Sequence, residues 1–400
     1  MKQITNYLTT IITVFVCLSS IFILINITKK IIKLKRERFK KKVNSNLWSR
    51  SDVIEINASR GEDNNKKSYK LEGEKICRYD NGDIYKGEFM DGKKNGFGVC
   101  VFSNKERYEG LWKNDKMNSI GKYIFNDGSS YSGDFKEGVI EGIGTYTYIN
   151  KDIYKGSFEE NKRHGKGILY YSDGSKYIGL WIDDKQCGRG KFIKSNGDIY
   201  EGEFDNNKLN GKGNYTYSDG CSYIGDFKDN VYHGHGCFVH ISGDIYEGEY
   251  KYGLKRGKGI LKFRNKDVYE GEFKDDLFDG RGRYTYSDNS VYDGEYKVGM
   301  RDGIGTYTCR EYRYIGEWKE DSKGKIGTYY IKSGASIEVT IINNKIIEGK
   351  YQQDSDSEIM YIYDVDIEGN KEYEFIENIS TYLKKKSNPP ITITASNIYN

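Results

Sequence analysis

The sequence predicts an all-β fold, an elongated single-layer sheet of tandem 23-residue β-hairpin repeats, preceded by one transmembrane α-helix. Three observations predict it. A Tyr-x-Gly triplet recurs at a fixed period through most of the chain. The 400 residues include 47 glycines and 37 tyrosines but only 2 prolines, which is not the composition of a Pro/Gly-rich disordered chain. An uncharged stretch near the N-terminus is followed at once by a basic run.

The uncharged stretch covers residues 4–28 and is long enough to cross a hydrocarbon core of about 30 Å as a helix. Residues 29–42 then form a basic juxtamembrane segment, whereas the only charged side chain before the stretch is that of Lys2. The positive-inside rule therefore predicts a single-pass membrane protein with its repeats in the cytoplasm. The basic side chains that we expect at the lipid surface are Lys29, Lys30, Lys33, Lys35, Arg36, Arg38, Lys40, Lys41 and Lys42.

Two alternatives stay open for this N-terminal region. A cleaved signal peptide would have a shorter apolar part, of about 7–15 residues, with its positive charge ahead of it. The basic run serves as a topology determinant, as a contact with anionic lipid, or as both. Residues 43–68 are rich in Asn, Ser, Asp and Lys and predict a flexible linker.

Residues 83–330 contain eleven copies of the repeat. An aromatic residue follows each tyrosine after four residues, and a Gly-x-Gly triplet usually follows after eleven. Positions 0, 2 and 4 have one parity, and so do positions 11, 13, 15 and 17, so each set faces one side of a β-strand. Each repeat is therefore predicted to be two strands joined by a turn. The repeat tyrosines are Tyr85, Tyr108, Tyr131, Tyr154, Tyr177, Tyr200, Tyr223, Tyr246, Tyr269, Tyr292 and Tyr314.

The two ends of the array are atypical. Residues 69–82 match the second half of a repeat and are predicted to be a half-repeat cap. Residues 331–400 are predicted to be a degenerate C-terminal cap and an acidic tail. Within this tail, residues 352–377 are compatible with two strands and a short helix through Leu383, or with an acidic interaction segment.

The residues of this pattern resemble the MORN (membrane occupation and recognition nexus) repeat, for example Tyr200-Glu201-Gly202-Glu203-Phe204 with Gly211-Lys212-Gly213. The resemblance implies a single-layer array of hairpins that acts as a scaffold or tether at membranes and cytoskeletal structures. It also implies frequent dimerisation and, in some members, binding to phospholipid headgroups. The family offers no catalytic residues to transfer.

The charge pattern along the array favours protein over anionic lipid as the partner. Position 3 of the repeats is mostly acidic, as at Glu203, and position 12 is often basic, as at Lys212. If these positions are neighbours, they form a ladder of ion pairs that attracts anionic lipid only weakly. The candidate interaction face is instead the row of rings represented by Tyr85, Phe89, Trp112, Trp181 and Trp318, for which structural stacking is the alternative role.

No motif in the sequence indicates an enzyme. The seven cysteines are scattered without a CxxC pair, and His233-Gly-His235-Gly-Cys237 matches none of the usual zinc spacings. We expect no catalytic residue, no cofactor, no metal and no nucleic-acid partner. The leading hypothesis is a membrane-anchored scaffold for unidentified protein partners. The alternatives are a phosphoinositide reader that bridges two membranes and a regulatory subunit of a separate enzyme.

Overall fold

The computed structural model describes residues 53–56, 72–369 and 371–383, which form 27 strands and two short helices. The predicted transmembrane helix (4–28) and basic segment (29–42) lie outside the described residues. Among the described residues, no helix combines the length and the apolar character that crossing a membrane requires. The described chain divides into two compact units between Met117 and Asn118.

The first unit contains β1 to β5. Strands β2 to β5 form an antiparallel sheet in chain order, and β1 pairs with β2 in parallel. The linker predicted for residues 43–68 therefore contains a strand, and β2, in the predicted half-repeat cap, has partners on both sides. The bounds are β1 Val53–Ile56, β2 Gly73–Tyr79, β3 Ile84–Met90, β4 Lys93–Val101 and β5 Arg107–Lys113.

The second unit is an antiparallel sheet of strands in chain order, and β6 (Lys116–Ile124) begins at its boundary. The later strands are β7 Ser130–Lys136, β8 Val139–Thr147, β9 Ile153–Glu159, β10 Lys162–Tyr170, β11 Lys176–Ile182, β12 Lys185–Ile193, β13 Ile199–Asp205, β14 Lys208–Thr216, β15 Ser222–Lys228, β16 Val231–Val239, β17 Ile245–Lys251, β18 Leu254–Lys262, β19 Val268–Lys274, β20 Leu277–Thr285, β21 Val291–Lys297, β22 Met300–Thr308, β23 Tyr312–Lys319, β24 Ser322–Ile331, β25 Ser336–Ile342, β26 Lys345–Gln352 and β27 Met360–Asp366. The helices are α1 Lys371–Glu377 and α2 Ile379–Tyr382.

Each repeat is one hairpin, and the Tyr200 repeat illustrates its geometry. Asn206 and Asn207 form the two-residue turn between β13 and β14 and both have positive φ, 48° and 67°, as a type I′ turn requires. The register then shifts by two residues, because Gly202 pairs with Gly213 whereas Phe204 pairs with Leu209. This bulge places position 9 of the repeat directly opposite the aromatic residue at position 4.

The repeat tyrosine is the centre of the core. Tyr200 is 1% exposed, and its hydroxyl donates a hydrogen bond of 2.8 Å to the carbonyl of Glu203. Its ring covers Gly202 and Gly213, where an added Cβ would collide with the ring or with the facing backbone. It packs edge-on against Phe204 of its own repeat and Phe227 of the next, at 5.2 and 5.0 Å between centroids. Edge-on aromatic pairs stabilise beyond their buried area.

Side-chain hydrogen bonds join neighbouring repeats at both edges of the sheet. At one edge the turn residue Asn207 accepts a bond of 2.8 Å from the backbone N–H of Gln186, in the preceding repeat. At the other edge Asp198 accepts a bond of 3.0 Å from the backbone N–H of Ser218. Both links recur along the array at separations of 20 or 21 residues.

The C-terminal part continues the sheet with a different core. In the β25–β26 hairpin, Ile337 and Ile341 are buried where earlier repeats have a tyrosine and an aromatic residue. β27 pairs with β26, and the chain then forms α1 and α2. The structure agrees with the first interpretation of residues 352–377, in which the segment folds onto the array. The segment contains one strand, β27, instead of two, and helix α1, which packs on the sheet.

Candidate functional site

The five predicted interaction residues lie inside the sheet core of their units. Tyr85 is 0% exposed, and the other four are between 1% and 5% exposed. In the first unit, Tyr85 packs edge-on against Phe89 and Trp112. A partner that touches the folded array therefore meets other side chains. The side of the sheet that carries the repeat tyrosines is called the aromatic face below, and the opposite side is called the charged face.

In several repeats the residue at position 9 is a cation that lies on the aromatic face. The guanidinium carbon of Arg163 lies 4.1 Å from the centroid of Trp181. Asp184 fixes this arginine, because Arg163 Nε donates to Asp184 Oδ1 at 2.8 Å and Nη2 donates to the Asp184 carbonyl at 2.8 Å. A positive charge held above an indole face gains cation–π energy.

The same Arg-Trp-Asp arrangement occurs a second time, six repeats further along. The guanidinium carbon of Arg301 lies 4.3 Å from the centroid of Trp318, and its Nε donates to Asp321 Oδ1 at 3.1 Å. In the first unit a lysine replaces the arginine, with Lys94 Nζ 4.9 Å from Trp112. Each of the three array tryptophans therefore has a cation from the preceding repeat above its ring.

Sequence reasoning missed these cations. Position 9 has the parity of positions 11 to 17 and so belongs to the aromatic face, but the register shift that places it beside the rings at position 4 is invisible to simple alternation. A signal was present nevertheless. The cation precedes each array tryptophan by 17 or 18 residues, at Lys94 and Trp112, Arg163 and Trp181, and Arg301 and Trp318.

An open depression lies on the aromatic face between Tyr148 and Gly253. It consists of a cavity of about 450 Å³ beside Arg163 and a cavity of about 570 Å³ towards Gly253, and both are lined by Gln186, Phe192 and Asn207. Half-buried rings form its floor, notably Tyr148, Tyr171, Phe192, Tyr217 and Tyr232. We call this surface the aromatic depression.

The equivalent surface near the C-terminus is covered by α1. Glu372 of α1 receives hydrogen bonds from Lys323 Nζ at 2.7 Å and from the Tyr329 hydroxyl at 2.6 Å. Phe375, fully buried, contacts Tyr329 with 6.3 Å between centroids, and Tyr373 packs beside Tyr312 at 5.9 Å. Burial lowers the pKa of Lys323, and the neighbouring Glu372 carboxylate opposes that shift.

The charged face has a groove of about 1430 Å³ along the repeats from Ile178 to Arg281. The predicted neighbourhood of positions 3 and 12 is confirmed, since Lys212 stands opposite Asp226 in the register and Lys258 opposite Glu272. Lys212 Nζ lies 2.6 Å from Asp226 Oδ1.

The acidic residues at position 3 also have a second role that the sequence did not suggest. Asp226 accepts a hydrogen bond from the backbone N–H of His235 at 3.0 Å, and Asp134 accepts one from Ile143 at 2.9 Å. These N–H groups follow the bulge glycine of the same hairpin. The carboxylates therefore satisfy backbone donors that the bulge removes from the strand ladder.

Hydrogen bonding and burial shift the pKa values of Asp198 and Cys100 in opposite directions. Burial would raise the pKa of Asp198, but hydrogen bonds from Tyr215 and Ser218 lower this pKa to about 2. Burial raises the pKa of the Cys100 thiol to about 11, which leaves it protonated and unreactive. No three His, Cys, Asp or Glu side chains of the described residues are grouped so that they could hold a metal ion.

A family model places the chain. The MORN repeat model matches ten consecutive windows from residue 85 to residue 311, more than half of the 400 residues. The chain therefore belongs to the MORN repeat family. The eleventh predicted repeat, beginning at Tyr314, lies beyond the matched windows but has the same hairpin, with Gly316 paired to Gly327 and Trp318 paired to Lys323.

Solved structures give only remote likenesses. The TCP10 domain of Danio rerio CPAP in complex with a peptide of Danio rerio STIL is 12% identical, with a TM-score of 0.32, over 50% of this chain and 90% of that chain. The SAS-4 (dCPAP) TCP domain of Drosophila melanogaster, with a proline-rich motif of Ana2, is 12% identical, with a TM-score of 0.27, over 44% and 90%. Selenomethionine-substituted virginiamycin B lyase from Staphylococcus aureus is 12% identical, with a TM-score of 0.12, over 69% and 89%. These likenesses carry no argument about function, and no curated protein matches the chain.

Proposed function

We propose that the chain is a membrane-anchored scaffold whose cytoplasmic repeat array binds partner proteins and catalyses no reaction. The observation that carries this proposal is the aromatic depression, an accessible row of half-buried rings between Tyr148 and Gly253. Partly exposed tyrosines beside polar groups favour contact with protein, because each ring offers apolar area together with a hydrogen-bonding hydroxyl.

The charged face supports a protein rather than an anionic lipid as the main partner. Its lysines stand among carboxylates, as Lys212 does beside Asp226 and Lys191 beside Glu201. A compensated surface has no excess positive potential to attract a headgroup. The uncharged stretch 4–28 with the basic segment 29–42 supports the membrane anchor and its orientation.

Flotation with liposomes tests the choice between protein and lipid. Residues 69–400 are mixed with neutral or phosphoinositide-containing liposomes at ~0.15 M salt, where the Debye length is about 8 Å. We expect the array to stay in solution with both. Flotation with phosphoinositide alone would overturn the proposal and favour the lipid-reading alternative.

Extraction and glycosylation test the anchor. We expect the full chain to resist alkaline extraction from membranes and a chain without residues 4–28 to be released. We also expect Asn57, in the acceptor sequence Asn57-Ala58-Ser59, to remain unglycosylated. Glycosylation of Asn57 would place the array on the luminal side and contradict the cytoplasmic assignment.

Light scattering over a concentration series tests the dimer that the family resemblance implies.

A further inference from the structure

Helix α1 shows what the aromatic face of this chain accepts. Its buried side chains are Glu372, Phe375 and Ile376, which lie at i, i+3 and i+4 on one side of the helix. Glu372 meets the cation at position 9 of the Tyr314 repeat, Lys323, at 2.7 Å, and Phe375 meets the ring at position 15, Tyr329. A helix with one polar and two apolar side chains thus fits this face.

The aromatic depression repeats the architecture of this covered site. Arg163 with Trp181 and Asp184 corresponds to Arg301 with Trp318 and Asp321. The two arrangements lie six repeats apart. They border cavities of similar size, about 450 and 400 Å³. Glu372 and Tyr373 of α1 line the second cavity. None of the described residues of α1 or α2 lines the first.

The uncovered copy exposes the ring that α1 buries in the covered one. Tyr329 is 0% exposed beneath α1. Phe192 has the same position in the Tyr177 repeat and is only half-buried, on the floor of the depression. The depression therefore offers apolar area that a second helix would bury in the way Phe375 buries Tyr329.

One residue differs in a way that sets the charge of the occupant. Gln186 stands where Lys323 stands in the covered site, and its Nε2 donates to the Tyr171 hydroxyl at 3.0 Å. Gln186 is 6% exposed, so a carboxylate placed beside it would be desolvated, and the two cations that line the depression, Arg163 and Lys194, already pair with Asp184 and Asp198. Burying an unpaired charge is strongly unfavourable, whereas an amide or hydroxyl can hydrogen-bond to Gln186.

We propose that the aromatic depression binds a short helix of a partner protein that resembles α1, with apolar side chains at i+3 and i+4 and a neutral polar side chain at i. This inference rests on the proposed scaffold function and assigns its binding surface and partner chemistry. The occupant is a protein helix rather than lipid, because Arg163 is already paired with Asp184. It is a partner helix rather than α1, because Lys323 already holds Glu372.

Two peptides test whether the depression prefers a neutral to an acidic side chain at position i of the helix. The protein used is the full chain in neutral-lipid nanodiscs. Both have the sequence of residues 367–383, one unchanged and one with Glu372→Gln, and binding is followed by fluorescence anisotropy. We expect the Glu372→Gln peptide to bind at least about tenfold more tightly, because the unchanged peptide would bury an unpaired carboxylate. We expect Gln186→Lys in the protein to reverse this preference. An unchanged preference in that variant would overturn the proposal.

Matched variants locate the binding surface. Phe192→Asp should abolish binding of the Glu372→Gln peptide, whereas Ile143→Asp, 63% exposed on the charged face in the wild type, should leave it unchanged. If Phe192→Asp alters the circular dichroism spectrum, the peptide variant Phe375→Ala replaces it, and it should bind at least about tenfold more weakly because it loses the buried ring. Binding that resists both changes would overturn the proposal.

The remaining outcomes separate this inference from the proposed function. Absence of binding by either peptide, or loss of binding in Lys212→Glu but not in Phe192→Asp, would overturn the surface assignment and leave the scaffold function intact. A change of oligomeric state in Phe192→Asp would assign the surface to a second copy of the chain and overturn the inference. Flotation with phosphoinositide liposomes would contradict the scaffold function itself.

Discussion

The guanidinium carbon of Arg163 lies 4.1 Å from the centroid of Trp181, while the same arginine is held by the Asp184 side chain and carbonyl. The arginine belongs to one repeat, and the tryptophan and aspartate belong to the next. The arrangement therefore acts as a clamp between adjacent hairpins. It contributes a directional contact where the rest of the core contributes packed rings.

Removal of this clamp should loosen one junction of the array. Arg163→Ala is expected to destabilise the β10–β12 region by about 1–2 kcal/mol, since it removes a largely desolvated cation–π contact and the arginine stem. Native-state hydrogen exchange of the amides in β10 to β12 would measure it. The matched control is Arg189→Ala on the charged face, where residue 189 is exposed and the expected change is within about 0.5 kcal/mol. Equal effects of the two variants would contradict the clamp.

The glycine pair beneath each tyrosine should tolerate no side chain. In Gly213→Ala the new Cβ would lie 2.6 Å from Tyr200 Oη and 2.7 Å from Cζ. The ring cannot move away, because it is 1% exposed and packed by Phe204 and Phe227. We expect a loss of about 3 kcal/mol from overpacking, measured by chemical denaturation. Asn214→Ala, an exposed neighbour, is the control, and a loss of similar size there would contradict this account.

Asp198 should make the array sensitive to acid. Its pKa in the folded chain, about 2, lies below the ordinary value, so its contribution to stability is complete above that ordinary value. The contribution is lost as pH falls towards 2, when the carboxylate that accepts from Tyr215 and Ser218 becomes protonated. When the pH is lowered from about 5 to about 2, the free energy of unfolding should therefore fall less in Asp198→Asn than in the wild type, because the amide does not titrate.

Denaturation midpoints at several pH values measure this difference. Tyr215→Phe provides an independent check, because it removes one of the hydrogen bonds that lower the pKa and should shrink the acid-induced loss in the same direction. Parallel pH profiles for the wild type and both variants would show that Asp198 does not contribute.

Helix α1 should depend on one buried ion pair. In Glu372→Ala, Lys323 would remain in its buried site without the carboxylate 2.7 Å away, and Tyr329 would lose its acceptor. Breaking a buried pair from one side costs about 3–5 kcal/mol, enough to release a short helix. Limited proteolysis around residue 370 should therefore become faster. Glu374→Ala, an exposed change on the same helix, should not alter the cleavage rate.

The repeat period, the strand pairs and the tyrosine core could be predicted from sequence, because Tyr200, Gly202 and Phe204 and their counterparts recur with constant parity. The bulge could not. It depends on the positive φ of Gly211, and glycine gives no sign of which φ it adopts. Parity assigns Arg163 to the aromatic face, but without the bulge its contacts with the neighbouring rings could not be predicted. For Asp226, the sequence predicted the ion pair but not the hydrogen bond from the backbone.

The candidate surface was predicted only in part. The rings chosen from sequence, such as Trp181, are the most regular ones, and regular repetition selected residues that the sheet buries. Gln186 stands at position 9, which varies between repeats and carried no pattern, whereas Phe192 stands at position 15, which is aromatic or apolar throughout the array. Both line the open surface. The site of α1 was equally hidden, because the contact between Glu372 and Lys323 joins residues 49 positions apart that belong to no shared motif.

The hydrogen bonds between neighbouring repeats have a consequence for how such a chain can change in evolution. Asn207 reaches back to Gln186 and Asp198 reaches forward to Ser218, so each link ends in the adjacent repeat. If the gene segment that encodes one whole 23-residue repeat were duplicated or deleted, each remaining hydrogen bond between repeats would still have an equivalent partner. The length of the array can then vary by recombination, while an insertion of any other size within a repeat would break the links on both sides of it.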